Sequence, residues 1–284
     1  MDYTYQNTYS GVNSGNLSQV FFALAFVVVT YLVLLFIDSV YNYIYRLSLN
    51  KTVLLPNTYS TDFKTIILSQ NPNVPGSKEV HLSNDERSGI EFSYSFYLYV
   101  NPSSFTEHNG LLHIFHKGYS SQFPLLAPGV YMRSDTNTLR VYMNTYKTWN
   151  NYVEVDNIPV SKWVHVTIVC NNNSLEIFIN GNLKKKLSFD GYPPYQNYQD
   201  IVCFSQKIIN MTSNASVPSL DEGGFVVKGA MKGLISNLTY YSYALCYAEI
   251  QTIMAEGPSS KMDSALDLAN VPPYLDDKWW TQGY

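Results

Sequence analysis

The fold is decided by the stretch Trp163-Val-His-Val-Thr-Ile-Val-Cys-Asn-Asn-Asn-Ser-Leu-Glu-Ile-Phe-Ile-Asn-Gly-Asn-Leu-Lys-Lys-Lys-Leu187. Over residues 163–170 two sets of side chains alternate, and Trp163, His165 and Thr167 belong to the same set. This period of two is typical of a half-buried β-strand, in which successive side chains point to opposite faces of the sheet. The sequence therefore predicts a strand with Trp163 and His165 on one face.

The rest of this stretch predicts two further strands. The polar run 171–174 supplies a turn, and residues 175–179 form a second strand. Asn180 and Gly181 then close a tight hairpin into residues 183–187, because both residue types tolerate the positive φ of a primed turn. Strands joined so closely form a meander, so we expect an antiparallel sheet.

These motifs carry a family resemblance. The pattern Trp-x-His-Val-x-Ile, a polar turn and Ile-Phe-Ile-Asn-Gly-x-Leu resembles the central hairpin of laminin-G-like domains, which belong to the concanavalin-A-like lectins and glucanases. The alternating aromatic run 91–102 resembles the early strand of that family. Residues 232–250 resemble its last strand and the short helical turn that follows. The resemblance covers residues 80–256.

The resemblance implies an all-β fold, an antiparallel two-sheet jelly-roll sandwich. It also implies structural roles for Trp163, His165, Asn180, Gly181 and Gly233. Turn signals about every 8 to 12 residues favour a sandwich over alternating strands and helices. The candidate strands are 79–82, 90–100, 111–116, 129–133, 138–144, 151–155, 163–170, 175–180, 183–189, 200–204, 224–228 and 231–241.

The composition limits the classes of partner. Only 14% of the residues are charged, 15% are aromatic, and 25 residues are tyrosines. A surface of Tyr, Asn, Ser and Thr suits a protein that packs among partners or binds sugars better than it suits a freely soluble cytosolic enzyme. The net charge of −4 provides no basic patch of the size that nucleic-acid binding needs, so no nucleic-acid partner is expected.

An apolar segment near the N-terminus has the length of a membrane span. Residues 20–37 are interrupted only by Thr30 and Tyr31, and residues 3–37 contain no charged side chain. At ~1.5 Å per residue this run spans about 27 Å, close to the ~30 Å core of a bilayer. A signal peptide would need a basic start, but no Lys or Arg precedes Arg46. We therefore predict a single-pass transmembrane helix rather than a signal peptide or a buried core helix.

The signals for the orientation of this helix conflict. Arg46, Lys51 and Lys64 lie on its C-terminal side, so the positive-inside rule places the main domain in the cytosol. The three cysteines show no metal-ligand spacing, and we interpret them as small buried residues, which suits a reducing compartment. Six Asn-x-Ser/Thr sites favour a glycosylated, lumenal or extracellular domain: Asn16, Asn50, Asn172, Asn210, Asn214 and Asn237. We favour a domain that faces the cytosol, or lies at a virion membrane, and leave the lumenal alternative open.

The expected organisation follows from these boundaries. Its segments are a polar tail (1–19), a transmembrane helix with a juxtamembrane extension (20–45), a linker with short strands (46–79), the laminin-G-like sandwich (80–256) and a C-terminal tail (257–284). Within the linker we expect the short strands near 52–55 and 64–68. Trp279 and Trp280 lie in a tail with too few apolar residues for a core, so we predict that they dock on the sandwich or on a partner.

A catalytic motif is incomplete in this chain. Glucanases of this broad fold carry Glu-x-Asp-x-x-Glu on one strand, with the carboxylates on one face of the sugar cleft. The nearest match begins Glu154-Val-Asp156, but Pro159 occupies the position of the final acid. His113 and His116 are three apart on a predicted strand, hence on opposite faces, and are not expected to share a metal ion. We predict that the protein is not an enzyme.

No cofactor is predicted. Some laminin-G-like domains hold a calcium ion at the rim through Asp side chains and backbone carbonyls. Asp135, Asp190 and Asp221 lie in loops here, but their spacing defines no calcium site.

These observations give three functional hypotheses. The first is a membrane-anchored, non-catalytic binding or structural module that recognises a glycan or a protein through the sandwich. The second is a minor capsid or membrane-associated structural protein of a large virus that contains a membrane. The third, which the missing acid disfavours, is a glycoside hydrolase. The expected partners are thus a membrane, a glycan or protein ligand, and other assembly proteins if the chain is part of a virion.

Overall fold

A computed structural model describes residues 14–62, 64–83, 90–106, 109–119, 125–189, 191, 194–211 and 225–262. The chain forms two compact units, residues 1–49 and 50–284. In the first unit, helix α1 (Ser14–Leu49) contains the apolar segment Gln19–Tyr41, 23 residues with a mean hydropathy of 3.0. Every side chain of this segment is exposed. By length and composition it could cross a membrane, and a signal sequence would meet the same criteria.

The second unit is a sandwich of two sheets. Its elements are β1 (Lys51–Ser60), β2 (Ile66–Leu68), β3 (Glu91–Val100), a 3₁₀ turn (Pro102–Ser104), β4 (Leu111–Tyr119), β5 (Leu125–Arg133), β6 (Leu139–Met143), β7 (Asn151–Val155), β8 (Trp163–Asn171), β9 (Ser174–Ile179), β10 (Asn182–Ser188), β11 (Ile201–Cys203), β12 (Ile208–Met211), β13 (Phe225–Ala230), β14 (Gly233–Tyr241) and helix α2 (Tyr247–Glu256). The predicted sandwich with an apolar N-terminal helix is confirmed.

The strand order shows how the chain closes the sandwich. Sheet I has the order β1-β14-β3-β8-β9-β10, and sheet II has the order β12-β13-β4-β5-β6-β7. In sheet II, β11 pairs with both β4 and β2. The strand pairs are antiparallel except for β13 with β4, which is parallel. The predicted meander is β8-β9-β10, so it forms one edge of sheet I.

Aromatic side chains fill much of the space between the sheets. Phe92, Tyr94 and Phe96 of β3 point inward and are fully buried. The ring centroid of Phe115 on β4 lies 5.6 Å from that of Tyr94 and 5.3 Å from that of Phe96. The ring centroid of Tyr240 on β14 lies 5.1 Å from that of Tyr94. Such ring contacts add to the free energy gained by burying apolar area, so this cluster connects the two sheets.

The Asn180-Gly181 turn and Gly233 each have a backbone geometry that explains their residue types. Asn180 and Gly181 have φ values of 47° and 72°, the left-handed conformation that a primed hairpin turn requires. The Asn180 Oδ1 atom also accepts a hydrogen bond of 2.9 Å from the backbone N–H of His165. At Gly233 a Cβ atom would lie 2.0 Å from the carbonyl oxygen of Tyr99. Only glycine therefore permits the approach of β14 to β3 at that point.

Several segments differ from the prediction, among them residues 208–211, which were not expected to form a strand but pair with β13 as β12. Residues 79–82 were expected to form a strand but do not, because the Gln70 side chain binds the backbone there: its Oε1 accepts from Val80 N at 2.9 Å and its Nε2 donates to Lys78 O at 2.8 Å. Strands β1 and β2 lie where a linker with short strands was expected. Because β1 pairs with β14 and β2 pairs with β11, the sheets include residues before the boundary placed at residue 80.

The cysteines are only partly as interpreted. Cys170 and Cys203 are buried in the core, where burial raises the pKa of both thiols, that of Cys203 to about 12. Cys246 is exposed at the N-terminus of α2, so the prediction of a buried residue is wrong there. All three thiols are free.

Candidate functional site

The outer surface of sheet II carries a cluster of aromatic residues. Along β6 and β7 the aliphatic residues point into the core, and the residues between them point outward. We call this outer surface the aromatic face, defined by Tyr131, Tyr142, Trp149, Tyr152 and Phe225. It lies on the side of sheet II that faces away from sheet I.

Tyr142 is the centre of the aromatic face. Its ring centroid lies 5.8 Å from that of Tyr131, 5.4 Å from that of Tyr152 and 5.6 Å from that of Phe225. Trp149 stacks on it at 6.3 Å with an interplanar angle of 18°. Tyr131, Tyr142 and Phe225 are buried, whereas Trp149 and Tyr152 are half-buried. The cluster thus has a packed floor and two rings accessible to a ligand.

An arginine–glutamate pair lies beside these rings. Arg140 and Glu154 are directly opposite each other on β6 and β7. The Nε and Nη2 atoms of Arg140 both lie 2.8 Å from Glu154 Oε1, and Nη1 donates to the Tyr142 hydroxyl at 3.0 Å. The guanidinium carbon lies 4.3 Å from the ring centroid of Tyr152, within the range of a cation–π contact. Burial acts to lower the pKa of Arg140, but the charges and hydrogen bonds of Tyr142 and Glu154 outweigh burial, so the pKa is raised.

A second arginine extends the network towards the rim. Arg133 Nε and Nη2 donate to the two carboxylate oxygens of Asp135 at 3.0 and 2.7 Å. Its Nη1 lies 3.5 Å from Glu154 Oε1. The hydrogen bond to Arg133 lowers the pKa of Asp135, and that to Asp135 raises the pKa of Arg133. Asp135, which was considered as a calcium ligand, is therefore engaged by a guanidinium group.

The incomplete glucanase motif ends at this network. Glu154 lies on β7, whereas Asp156 follows the end of that strand and accepts a hydrogen bond of 2.9 Å from Thr138 Oγ1. The Glu154 carboxylate contacts two guanidinium groups through its Oε1 atom. Glycoside hydrolysis also needs a general acid, and Pro159 occupies that position of the motif. Glu154 is thus placed as a hydrogen-bond acceptor.

The two histidines of β4 meet on the aromatic-face side, contrary to the prediction of opposite faces. A β-bulge between His113 and Phe115 adds a residue to the strand, so Ile114 and Phe115 both enter the core. His113 Nε2 lies 2.6 Å from His116 Nδ1, and His113 Nδ1 accepts from the backbone N–H of Ser205 at 2.9 Å. The proton shared by the pair therefore belongs to His113 Nε2.

Burial dominates the electrostatics of this pair. It lowers the pKa of His113 well below the usual value and that of His116 to about 4. Both rings are consequently neutral at physiological pH. Within the described ranges, no group of three or more His, Cys, Asp or Glu side chains could hold a metal ion.

The outer face of sheet I holds Trp163 and His165. His165 Nε2 lies 2.8 Å from Ser95 Oγ, and burial lowers the pKa of His165 to about 4. Trp163 is half-buried beside Tyr99, with 5.7 Å between the ring centroids. Helix α2 packs on this sheet through residues that include the fully buried Ile250. Trp279, Trp280, Asp190 and Asp221 lie outside the described residues.

Comparison with known proteins identifies the family. The family model described as the concanavalin A-like lectin/glucanases superfamily, of the laminin-G type, matches residues 75–251. The chain belongs to this superfamily. As the name states, the superfamily contains both lectins and glucanases. No curated protein matches the chain.

Several solved structures align with part of this concanavalin-A-like chain. The botulinum neurotoxin serotype D binding domain aligns with a TM-score of 0.46 and 14% identity over 73% of this chain and 51% of that one. The serotype D ligand binding domain in complex with N-acetylneuraminic acid aligns with a TM-score of 0.44 and 14% identity, covering 68% and 40%. The binding domain of botulinum neurotoxin DC in complex with rat synaptotagmin II aligns with a TM-score of 0.42 and 14% identity. This alignment covers 68% of this chain and 40% of that one. The concanavalin-A-like chain thus spans about half or less of each.

Sequence reasoning missed most of the aromatic face of this concanavalin-A-like sandwich. Glu154 was singled out, but only as part of a catalytic motif. The signal was present in two alternating pairs, Arg140-x-Tyr142 and Tyr152-x-Glu154, which place polar and aromatic side chains on one face of consecutive strands. The register between β6 and β7, which brings Arg140 opposite Glu154, was needed to see them as one site.

Proposed function

We propose that the chain is a membrane-anchored, non-catalytic binding module that recognises a glycan or a protein through the aromatic face. The observation that carries this proposal is the pair of half-buried rings, Trp149 and Tyr152, beside the Arg133–Glu154–Arg140 network. Aromatic faces stack on the apolar faces of sugars or on protein side chains, and fixed polar groups beside them orient the ligand. Membership of a superfamily that contains lectins supports this function, whereas the fold alone does not choose the ligand.

The binding test compares the two sides of the sandwich. The full chain, held in detergent or nanodiscs, is applied to a glycan array and used in pull-downs of candidate proteins. We expect Tyr152→Ala to weaken the captured interaction. Tyr247→Ala is the matched control, because Tyr247 is 60% exposed on α2, which packs on sheet I. Equal losses for both variants, or binding to neither glycans nor proteins, would contradict the proposal.

The non-catalytic part of the proposal rests on the missing acid. Pro159 occupies the position of the final acid of the motif, and Glu154 of the same motif is held between two arginines. The alternative of a glycoside hydrolase requires an acid elsewhere. Hydrolysis of β-glucans by the purified chain, lost in Glu154→Gln, would establish that alternative; we expect no hydrolysis.

The membrane anchor rests on the segment Gln19–Tyr41. Its length and uniformly exposed apolar side chains match a bilayer span. We expect the full chain to stay with membranes through a carbonate wash and a chain without residues 1–49 to be released. A cleaved N-terminus on the mature protein would instead identify a signal sequence. Protease protection in microsomes tests the cytosol-facing orientation, and recovery from purified virions tests the capsid alternative.

A further inference from the structure

We propose that the aromatic face selects uncharged, hydroxyl-rich sugars and discriminates against acidic ones, with the Glu154 Oε2 atom accepting the ligand's hydroxyl group. This inference rests on the proposed binding function and names the ligand class of the same site. The charge balance of the described side chains, the geometry of one carboxylate and the position of one ring carry it.

The charges of the network are already matched within the chain. Arg133 forms a two-bond pair with Asp135, and Arg140 forms a close pair with Glu154. A sugar carboxylate or sulfate that bound either guanidinium group would have to displace a carboxylate of the protein. The displaced carboxylate would lose a charge-assisted pair, which offsets the gain from the new one. Arginines that are already paired with carboxylates of the chain hold those carboxylates in place rather than attract an anionic ligand.

The Glu154 carboxylate is bound on one side only. Both nitrogens of Arg140 and the Nη1 atom of Arg133 contact its Oε1 atom, at 2.8, 2.8 and 3.5 Å. In the part of the chain that the structure describes, no hydrogen bond is made to Oε2. The side chain retains 28% of its exposure, so this oxygen is accessible to solvent. A carboxylate oxygen fixed in this way favours a hydroxyl donor over a ligand carboxylate.

The adjacent ring supplies the apolar part of the site. Trp149 stacks on buried Tyr142 and lies nearly perpendicular to the ring of Phe225, with 5.8 Å between the centroids, and it remains half-buried. A stacked ring is held in one orientation, which reduces the entropy lost when a ligand binds. The chemistry on this face is therefore an indole plane for the C–H face of a pyranose and a carboxylate oxygen for its hydroxyls.

The test uses pairs of glycans that differ only in a terminal acidic sugar. The full chain in nanodiscs is titrated with neutral hexose-terminated oligosaccharides and with the same oligosaccharides capped by N-acetylneuraminic acid. We expect the neutral member of a pair to bind about tenfold or more tightly, the scale of one charge-assisted hydrogen bond. This comparison needs no variant, so it stands even if a substitution disturbs folding.

A variant then locates the selectivity. Glu154→Gln should weaken binding of the neutral sugar about tenfold. Glu176→Gln should leave it unchanged; Glu176 is also ion-paired, to Lys186 at 2.6 Å, but lies on sheet I. Tighter binding of the capped sugar, or an unchanged affinity in Glu154→Gln, would overturn this inference alone. Binding of neither glycan would overturn it together with the glycan arm of the proposed function, while capture of a protein would leave the binding function standing.

Discussion

The two outer faces of the sandwich are covered to different extents. On sheet I, helix α2 packs on the surface and buries Val169 and Phe178, although the Glu176–Lys186 ion pair and half-buried Trp163 also belong to this sheet. On sheet II, ion pairs and half-buried rings remain in contact with solvent. Because both inner faces are needed for the core, only an outer face can be given to a ligand. The comparison indicates that a helix covers part of the outer face of sheet I, whereas the outer face of sheet II has a buried cluster of its own and leaves its ion pairs and two rings partly exposed.

Helix α2 is fixed to sheet I by both apolar and polar contacts. Ile250 is fully buried together with Val169 and Phe178 of the sheet. The Tyr97 hydroxyl accepts from the backbone N–H of Gly257 at 2.9 Å and lies 2.7 Å from the Met254 carbonyl oxygen, to which it donates. These contacts make the outer face of sheet I a second, smaller core.

The largest effect should come from breaking that second core. We expect Ile250→Ala to lower the free energy of unfolding by about 2 to 5 kcal/mol, because it removes a fully buried side chain and leaves a cavity. Urea unfolding of the full chain in detergent measures the loss. Tyr247→Ala, on the exposed side of the same helix, should change stability by about 0.5 kcal/mol or less. Equal stability of Ile250→Ala and the parent would show that α2 is not part of the closed face.

Acid should destabilise both faces through their histidines. Burial lowers the pKa of His165 and of His116 from 6.5 to about 4. The unfolded chain therefore binds more protons between these values, so stability is complete above about pH 6.5 and falls as the pH drops towards about 4. We expect the melting temperature to fall over this range. In His165→Gln the dependence on pH should become shallower, and the slope that remains measures His113 and His116. If the melting temperature of His165→Gln depends on pH as steeply as that of the parent, the acid sensitivity comes from His113 and His116 on the aromatic-face side.

Replacing Trp163 tests how much a half-buried ring on the outer face of sheet I contributes to stability. A fully buried Trp would cost about 3 to 5 kcal/mol on replacement by Ala, but Trp163 is half-buried and packs mainly against Tyr99. We therefore expect Trp163→Ala to cost about 1 to 2 kcal/mol. Thermal unfolding checks this, with Tyr99→Ala as the partner variant. A non-additive double variant would show that the two rings stabilise each other.

The smallest effect on stability should come from the aromatic face. Glu154→Gln removes a charge from a network whose side chains keep 12% to 28% of their exposure. Partly exposed ion pairs contribute little after screening, so we expect a loss of about 1 kcal/mol or less in chemical unfolding. A much larger loss would mean that sheet II is as structural on its outer side as sheet I, and the contrast between the faces would disappear.

Local patterns were predictable from the sequence, and features that depend on pairing were not. The alternation over residues 163–170 and the Asn180-Gly181 turn are set by neighbouring residues, and both are present. The bulge after His113 is a feature of the pairing of β4 with β5, and its extra residue places His116 on the same face as His113. The expected strand at 79–82 failed because the Gln70 side chain, rather than another strand, satisfies its backbone.

The candidate site was less predictable than the fold. Glu154 attracted attention through its spacing from Asp156, yet its partners are on β5 and β6. Trp149 lies in a loop, and its stacking on Tyr142 depends on the path of that loop across the sheet. No local periodicity encodes contacts of this kind. The face of each side chain could be predicted, but which side chains meet there could not.

The position of β1 has a consequence for the time course of synthesis. It follows α1 directly along the chain, yet its neighbour in sheet I is β14, about 180 residues further on. At ~5 to 20 residues per second, a ribosome makes the two strands about 9 to 36 s apart. Since β14 also separates β1 from β3, a nascent chain that has not reached Gly233 has two strands whose shared neighbour does not yet exist. Unpaired strand edges are templates for association between chains, so this interval is when the protein most needs protection by chaperones.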